Sequence, residues 1–393
     1  MVNTGVNSLV STGLQLYACQ PDTQSTSFDG SRQEVRQSRR AERAHWMDPT
    51  HANARTPPAA IAIRSSECVE AAQTGHAGAY NDSMASSPRR LAVLLGLIVC
   101  ALWTVDLTAQ APRFRVTLLG TGSPPPRMDR FGPATLVEAG TDIFLFDAGR
   151  GVLQRLAQTG TEYRNLRALF LTHLHSDHIV GLPDLWLTGW LVSHRDHPLQ
   201  VFGPKGTSDF AIHLARAFAY DLGIRADDDG GNPAGSRLEV TEIEEGVLYR
   251  QDGVTITAFN VDHRPVAPAF GYRVDYGGHS AVISGDTRMS ENLVKWAKGA
   301  DLLIHEVAYR TGETQATSRI LAHHTLPAQA GDVFSRVAPR LAVYSHVGVS
   351  QDVSDARLIE MTRATYKGPL VVGADLMSFD IGETVRVNPP PVR

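Results

Sequence analysis

Residues 171–178 constrain this chain more than any other stretch. They read Leu-Thr-His-Leu-His-Ser-Asp-His, so that four metal-binding side chains fall within six residues: His173, His175, Asp177 and His178. The apolar residues 168–171 predict a short buried strand before these side chains, and residues 179–190 predict a helix that opens near Pro183. We therefore expect the four side chains on a strand-to-helix turn that faces a cleft.

The spacing of these side chains suits two metal ions. Side chains two residues apart on an extended segment point the same way, so His173 and His175 can reach one ion at about 2.0–2.1 Å. Asp177 and His178 follow on the turn and can face a second ion. Two ions about 3.5–4 Å apart would clamp the attacking and the leaving oxygen of a hydrolysis. The alternative is a polar loop with incidental histidines, which three histidines and one aspartate in six residues disfavour.

Later strands repeat the pattern of a strand followed by a polar, reactive side chain. Predicted strands at 254–259, 281–284, 302–304 and 341–344 lead to His263, Asp286, Glu306 and His346. Each residue alone could be a buried structural histidine or a capping carboxylate. Together with the first motif they indicate one site. Asp147, which ends a predicted hairpin, either supports that site or caps its own turn.

At these residues the chain resembles the metallo-β-lactamase superfamily, whose signature is His-x-His-x-Asp-His. The resemblance extends from about residue 115 to the C-terminus. It implies an α+β fold, a four-layer αββα sandwich of two mixed sheets, with the site at one edge. Within the superfamily the chain resembles ribonuclease Z, the tRNA 3′-end-processing phosphodiesterase. The stretches that carry this second resemblance are residues 203–206, 242–246, 270–274, 284–287, 305–306 and 324–325.

The resemblance implies a complete dinuclear zinc site. The implied ligands of one Zn²⁺ are His173, His175 and His263, those of the other are Asp177, His178 and His346, and Asp286 is the implied bridge. Asp177 would also orient the nucleophile, a metal-bound hydroxide. His324, oriented by Glu306, would donate a proton to the leaving oxygen, with His323 as the alternative donor. Manganese or iron could occupy the same ligands.

Composition limits the remaining choices. The formal net charge of −4 gives no general attraction to nucleic acid or to an anionic membrane. The three cysteines all lie at or before residue 100, so residues 112–393, the expected hydrolase domain, must hold metal through His, Asp or Glu. Residues 207–220 predict one helix, and the Asp- and Gly-rich residues 225–236 predict a solvated loop.

The N-terminal region predicts export rather than a folded domain. Residues 1–83 show no sustained apolar period, which indicates disorder or an over-extended start. Residues 84–111 combine a basic start, an apolar run at 91–105 and small residues near the end, the pattern of a signal peptide. We hypothesise that translation begins at Met84 and that the domain is periplasmic or secreted. The alternatives are a membrane anchor or a cytoplasmic protein.

These observations predict a zinc-dependent phosphodiesterase, with RNA as one candidate substrate. Ribonuclease Z commonly carries a basic, Gly-rich arm that grips tRNA, but here only residues 274–283 join two of the matching stretches, and no basic run replaces the arm elsewhere. An exported β-lactamase, or another ester or amide hydrolase of this fold, is therefore the alternative function. A non-catalytic scaffold is the weakest reading, and a homodimer is compatible with the sequence.

Overall fold

The computed structural model describes residues 113–228, 232–312 and 314–391. The predictions for residues 1–83 and for the signal-like residues 84–111 lie outside these ranges. Within them, no helix combines the length and the apolar character that a membrane span requires.

The strands of the described ranges build two mixed sheets. They are β1 Phe114–Gly120, β2 Ala134–Ala139, β3 Asp142–Phe146, β4 Leu166–Phe170, β5 Leu199–Gly203, β6 Leu238–Glu242, β7 Gly246–Gln251, β8 Val254–Asn260, β9 Phe270–Tyr276, β10 His279–Ile283, β11 Leu302–Tyr309, β12 Leu341–Val349, β13 Leu370–Val372, β14 Ser378–Ile381 and β15 Val385–Asn388. The first sheet has eight strands in the order β15-β14-β1-β2-β3-β4-β5-β6. The second has seven, in the order β13-β12-β11-β10-β9-β8-β7.

The helices lie outside the two sheets. They are α1 Val152–Gln158, α2 Ser176–Ile179, α3 Leu182–Leu191, α4 Thr207–Ala217, α5 Ala219–Asp228, α6 Glu291–Ala297, α7 Gln315–Leu321, α8 Pro327–Val337 and α9 Asp355–Thr362. Apolar side chains of α1 and α3 pack on the first sheet, and those of α6, α8 and α9 pack on the second. The four-layer αββα sandwich is therefore confirmed.

Two predictions between β5 and β6 were wrong. The single helix at 207–220 is two helices, because the chain leaves helical geometry at Phe218 before α5 begins. The loop expected from residue 225 is still helical up to Asp228. Leu222 packs against the core beneath the helices, and Arg225 pairs with Asp221 one turn earlier at 2.9 Å, so both contacts stabilise the helix beyond the predicted end.

The side chains of β11 point alternately to the core between the sheets and to the outer helices, and this alternation positions Glu306. Leu302 and Ile304 point into the apolar core between the sheets, whereas Leu303 and Val307 point to the helices of the second sheet. Successive side chains of a strand face opposite sides, so Glu306 continues the inner face of Leu302 and Ile304. It is 2% exposed. A buried carboxylate thus stands where the apolar core between the sheets ends.

Candidate metal centre and active site

The four predicted ligands after β4 lie on a tight strand-to-helix turn. His173 and His175 are two residues apart, and their ring centroids are 4.7 Å apart. Asp177 and His178 lie in the four-residue helix α2, for which His175 is the N-cap with extended backbone. His173, Asp177 and His178 are buried, and His175 is partly exposed. The local sequence therefore places two ligands on each side of the helix start.

The first group of ligand atoms joins this turn to the second sheet. One ligand atom from each of His173, His175, His263 and Asp286 lies within 4.8 Å of all the others. His263 follows β8, and its Nδ1 donates to the carbonyl of His323 at 2.9 Å. Its Nε2 consequently faces the group and lies 3.3 Å from His175 Nδ1. Burial lowers the pKa of His263 to about 4, so this imidazole is neutral and able to coordinate a cation.

The second group shares Asp286 with the first. Asp177, His178 and His346 present ligand atoms within 4.8 Å of one another. Asp286 Oδ2 lies 3.5 Å from His178 Nε2 and 3.3 Å from His346 Nε2. His346 has a left-handed backbone with φ of 44°, an uncommon conformation for a residue other than glycine. This conformation coincides with the shift in β11–β12 register beside Glu306.

The polar atoms of both groups fit divalent cations. Four buried atoms of these two groups have no hydrogen-bond partner among the described residues: His173 Nε2, His178 Nε2, His346 Nδ1 and Asp286 Oδ1. Burial opposes charge on Asp286, but the charges of His346 and His178 outweigh it and hold the pKa of Asp286 well below its usual value. Unpaired imidazole nitrogens gathered around one ionised carboxylate are the donor set of a nitrogen- and oxygen-ligated metal centre.

Asp147 supports His178 from behind. Its Oδ2 lies 2.8 Å from His178 Nδ1, so the other ring nitrogen of His178 faces the second group. Its Oδ1 accepts the backbone N–H of Thr172 at 2.8 Å, and the Thr172 hydroxyl also donates to the carboxylate. Of the two roles predicted for Asp147, the contacts favour support of the metal site. A carboxylate in this position fixes the tautomer and the direction of a ligating imidazole.

His324 and Glu306 form a separate buried pair beside the two groups. His324 Nδ1 lies 3.1 Å from Glu306 Oε1, which also accepts the backbone N–H groups of Thr287 and Thr325 at 3.1 Å and 3.0 Å. Burial lowers the pKa of His324, but the charge and hydrogen bond of Glu306 outweigh burial and raise it to about 9. His324 is therefore protonated near neutral pH. It also lies close enough to Asp286 and His346 to share a third group of potential ligand atoms.

His323, the alternative donor, occupies a different position. Its ring lies 5.2 Å from that of His263 and 4.9 Å from that of His324, and burial lowers its pKa. The carboxylate contact distinguishes the two neighbours, since Glu306 holds His324. The sequence did not predict that Thr172, Thr287 and Thr325 orient the carboxylates. The available signal was their position directly beside a predicted site residue.

The chain is similar in sequence to a described family and to named proteins. A family model described as Beta-lactamase superfamily domain matches residues 142–347. A ribonuclease Z of Mycobacterium marinum is 42% identical over 237 residues, which are 59% of this chain and 85% of that protein. A ribonuclease Z of Mycobacterium bovis is 38% identical over 276 residues, 68% of this chain and 98% of that protein.

Solved structures agree with the sequence comparisons. The crystal structure of the short form of human tRNase Z matches with a TM-score of 0.52 and 25% identity, over 67% of this chain and 98% of that one. The metallo-β-lactamase fold protein YhfI of Bacillus subtilis matches with a TM-score of 0.55 and 19% identity, over 68% and 99%, which shows the fold alone. The chain belongs to the metallo-β-lactamase superfamily and is a metallohydrolase similar to ribonuclease Z.

Proposed function

We propose that the protein is a dinuclear, zinc-dependent phosphodiesterase of the ribonuclease Z type. The observation that carries the proposal is the pair of ligand groups that share Asp286, with the protonated His324–Glu306 pair beside them. Ligand groups alone would suit many hydrolases of this fold. A buried acid next to them is suited to a reaction whose leaving group must gain a proton.

The proposed metal ligands are the seven residues predicted from the sequence. One ion would be held by His173, His175 and His263, the other by Asp177, His178 and His346, with Asp286 between them. Histidine and carboxylate ligands suit zinc, and manganese or iron also accept them. Two such ions, when bound, lower the pKa of an attacking water and offset the negative charge that develops on phosphoryl oxygens.

The residues of this chain contribute orientation and proton transfer. Asp177, which is 4% exposed, would orient the attacking water through its free oxygen. His324 would donate its proton to the leaving oxygen, and Glu306 would keep the imidazole charged and correctly turned. A poor leaving group such as a ribose hydroxyl needs this proton, whereas p-nitrophenolate leaves without it.

RNA is the substrate that the similarity to ribonuclease Z favours. The short turn Gly277-Gly278, which joins β9 to β10, supports a substrate site without a long arm at this position. We therefore propose that substrate contacts are concentrated around the cleft itself. Short RNA ends and small phosphodiesters would suffice for such contacts.

The proposal is tested by varying the leaving group and the proton donor together. The zinc-loaded full chain, His324→Ala and the exposed control His213→Ala in α4 would be assayed on bis-p-nitrophenyl phosphate, a 3′-extended tRNA precursor and a chromogenic cephalosporin. We expect His324→Ala to lower RNA cleavage about 10²–10⁴-fold and nitrophenyl ester hydrolysis much less. Equal losses on both phosphodiesters would refute the role of His324. Faster turnover of the cephalosporin would refute the phosphodiesterase.

A further inference from the structure

One arginine beside the cleft lacks the acidic partner that its neighbours have. Arg310 follows β11 directly and is half-buried. Its Nη1 donates to the backbone carbonyls of Tyr309 and Gly348, while Nε and Nη2 bond to none of the residues described. No carboxylate of the described ranges pairs with it. Arg310 therefore holds a fixed guanidinium with two N–H directions still available.

The carbonyl that anchors Arg310 belongs to the strand that carries the proposed ligand His346. Gly348 lies two residues beyond His346 on β12, which spans roughly 6–7 Å of extended chain. The neighbouring Val347 N–H donates to the carbonyl of Thr121 at 2.8 Å, and a side chain on Gly348 would meet Ser123 at 3.8 Å. Gly348, whose carbonyl holds the guanidinium, thus lies near the loop after β1 and about one extended dipeptide from a proposed metal ligand.

Three other arginines of the described chain differ from Arg310. Arg264 and Arg288, on the loops beside His263 and Asp286, both pair with Asp262, at 2.6 Å and 3.2 Å. Arg195 has no acidic partner, but it is 2% exposed and its Nε and Nη2 donate to three backbone carbonyls. Arg310 combines the accessibility of the first two with the absence of a carboxylate seen in the third.

A half-buried guanidinium whose direction is fixed by backbone carbonyls can bind an anion from outside the protein. Burial lowers the pKa of Arg310, but a guanidinium stays charged at neutral pH. Its two free N–H directions suit the oxygens of a phosphate or carboxylate, which accept such paired bonds. The backbone carbonyls fix the direction of the guanidinium but do not neutralise its charge. A bound anion would therefore supply the counter-charge that the protein does not.

We propose that Arg310 binds a second anionic group of the substrate, one linkage away from the scissile phosphodiester. The proposal rests on the phosphodiesterase function and narrows its substrate class. It predicts preference for diesters with an adjacent phosphate, such as the end of an oligonucleotide, over diesters with a single negative charge. Arg310 would act as a specificity residue that contacts the substrate away from the bond that breaks.

The test compares two chromogenic diesters that differ by one phosphate. Thymidine 5′-(p-nitrophenyl phosphate) carries one charge, and its 3′-phosphorylated counterpart carries the adjacent anion. We expect the wild type to prefer the second about tenfold in kcat/KM, since one charge-assisted contact is worth about that factor. The preference should fall toward one in Arg310→Met and to an intermediate value in Arg310→Lys, which keeps the charge but loses the fork.

The control variant is Arg250→Met. Arg250 is exposed on β7 at the end of its sheet far from the cleft, since it is opposite Thr255 near the start of β8. It should keep the wild-type preference, and all variants should keep the wild-type metal content. An unchanged preference in Arg310→Met, or a wild-type preference near one, would overturn the proposal.

A binding measurement separates this proposal from the proposed function. If the wild type hydrolyses neither diester, the phosphodiesterase fails, and calorimetric titration with thymidine 3′,5′-bisphosphate and thymidine 5′-monophosphate then decides about Arg310. If Arg310→Met discriminates less between the two nucleotides than the wild type does, Arg310 binds the second phosphate even though neither diester is hydrolysed. Equal discrimination in wild type and variant rejects the site.

Discussion

Two buried aspartates near the same edge of the sandwich differ in what surrounds them. Asp375, between β13 and β14, accepts the Thr121 N–H at 2.9 Å and the Phe131 N–H at 2.8 Å. It also pairs with Arg155 Nη2 at 3.0 Å. Asp286, after β10, leaves Oδ1 without a partner and faces imidazole nitrogens with Oδ2. Both side chains are almost fully buried, at 6% and 2% exposed.

The difference separates a structural carboxylate from a binding carboxylate. A buried charge is tolerated when hydrogen bonds and an opposite charge compensate it. The protein itself provides this compensation for Asp375, whose bonds hold the loop after β1 against the sandwich. It does so only in part for Asp286, where unpaired nitrogens surround the carboxylate. We infer that Asp286 belongs to a group completed by cations, whereas Asp375 needs none.

The largest effect should follow from Asp286→Asn. An amide cannot supply the shared negative charge, so the metal content should fall and phosphodiester hydrolysis should drop at least about a thousandfold. Metal analysis by mass spectrometry and steady-state assay would measure both. The control is Asp301→Asn, which removes another buried carboxylate that accepts the Ser280 N–H before β11. Full metal content in Asp286→Asn would contradict the inference that Asp286 is a binding carboxylate.

The second-largest effect should be a loss of folding stability in Asp375→Asn, without a loss of bound metal. Asp375→Asn leaves the buried guanidinium of Arg155, whose side chain is 7% exposed, without its counter-charge. Breaking one partner of such a pair should lower the free energy of unfolding by about 3 kcal/mol or more. Urea denaturation measures this loss, and the folded variant should bind the wild-type amount of metal. A stable variant that had lost its metal would contradict the distinction between the two aspartates.

The sequence predicted the Asp286 group better than the Asp375 group for a physical reason. Four proposed ligands adjoin one another at 173–178, and each later proposed ligand follows an apolar run that predicts a strand, so local patterns identify them. Asp375 bonds to Thr121, 254 residues away, and to Arg155, 220 residues away. No periodicity or spacing reports such contacts, because tertiary packing alone brings these residues together.

Contacts between residues distant in sequence also explain why two other features were not predicted, the helix break before α5 and the position of Arg310. The sandwich was predicted through its ligand motif and resemblance, whereas the break at Phe218 and the extension of α5 depend on packing beneath the helices. Arg310 carried no sequence signal, since its carbonyl partner Gly348 lies on another strand. The clustering of the proposed ligands was therefore predictable because they adjoin strand ends, whereas contacts between residues distant in sequence were not.

Glu306→Gln should show a smaller effect that depends on pH. In the metal-free protein the pKa of His324 is about 9, above its ordinary 6.5. The folded state therefore binds this proton more tightly than the unfolded state, and the resulting stability is complete below about pH 6.5 and lost as pH rises through about 9. The variant should thus be destabilised roughly 2–3 kcal/mol more at about pH 6 than at about pH 9.5.

Urea denaturation of the metal-free wild type and variant at both pH values measures this difference. Glu306 also accepts two backbone N–H groups, whose loss would destabilise the variant equally at both pH values. The pH-dependent part therefore isolates the ion pair with His324. Equal destabilisation at the two pH values would show that Glu306 acts only as a hydrogen-bond acceptor.

Asp147→Asn tests whether Asp147 is a structural carboxylate like Asp375 or contributes to metal binding like Asp286. Asp147 is satisfied by Thr172, as Asp375 is by its own donors, yet it also holds His178 at 2.8 Å. Loss of such an orienting carboxylate should weaken metal affinity about 10–100-fold, less than the loss of a ligand. Competition with a chelator measures the affinity, with Asp142→Asn, a buried carboxylate paired with Arg167, as the control. An unchanged metal affinity would show that Asp147 is a structural carboxylate like Asp375. Its contact with His178 would then only cap the turn.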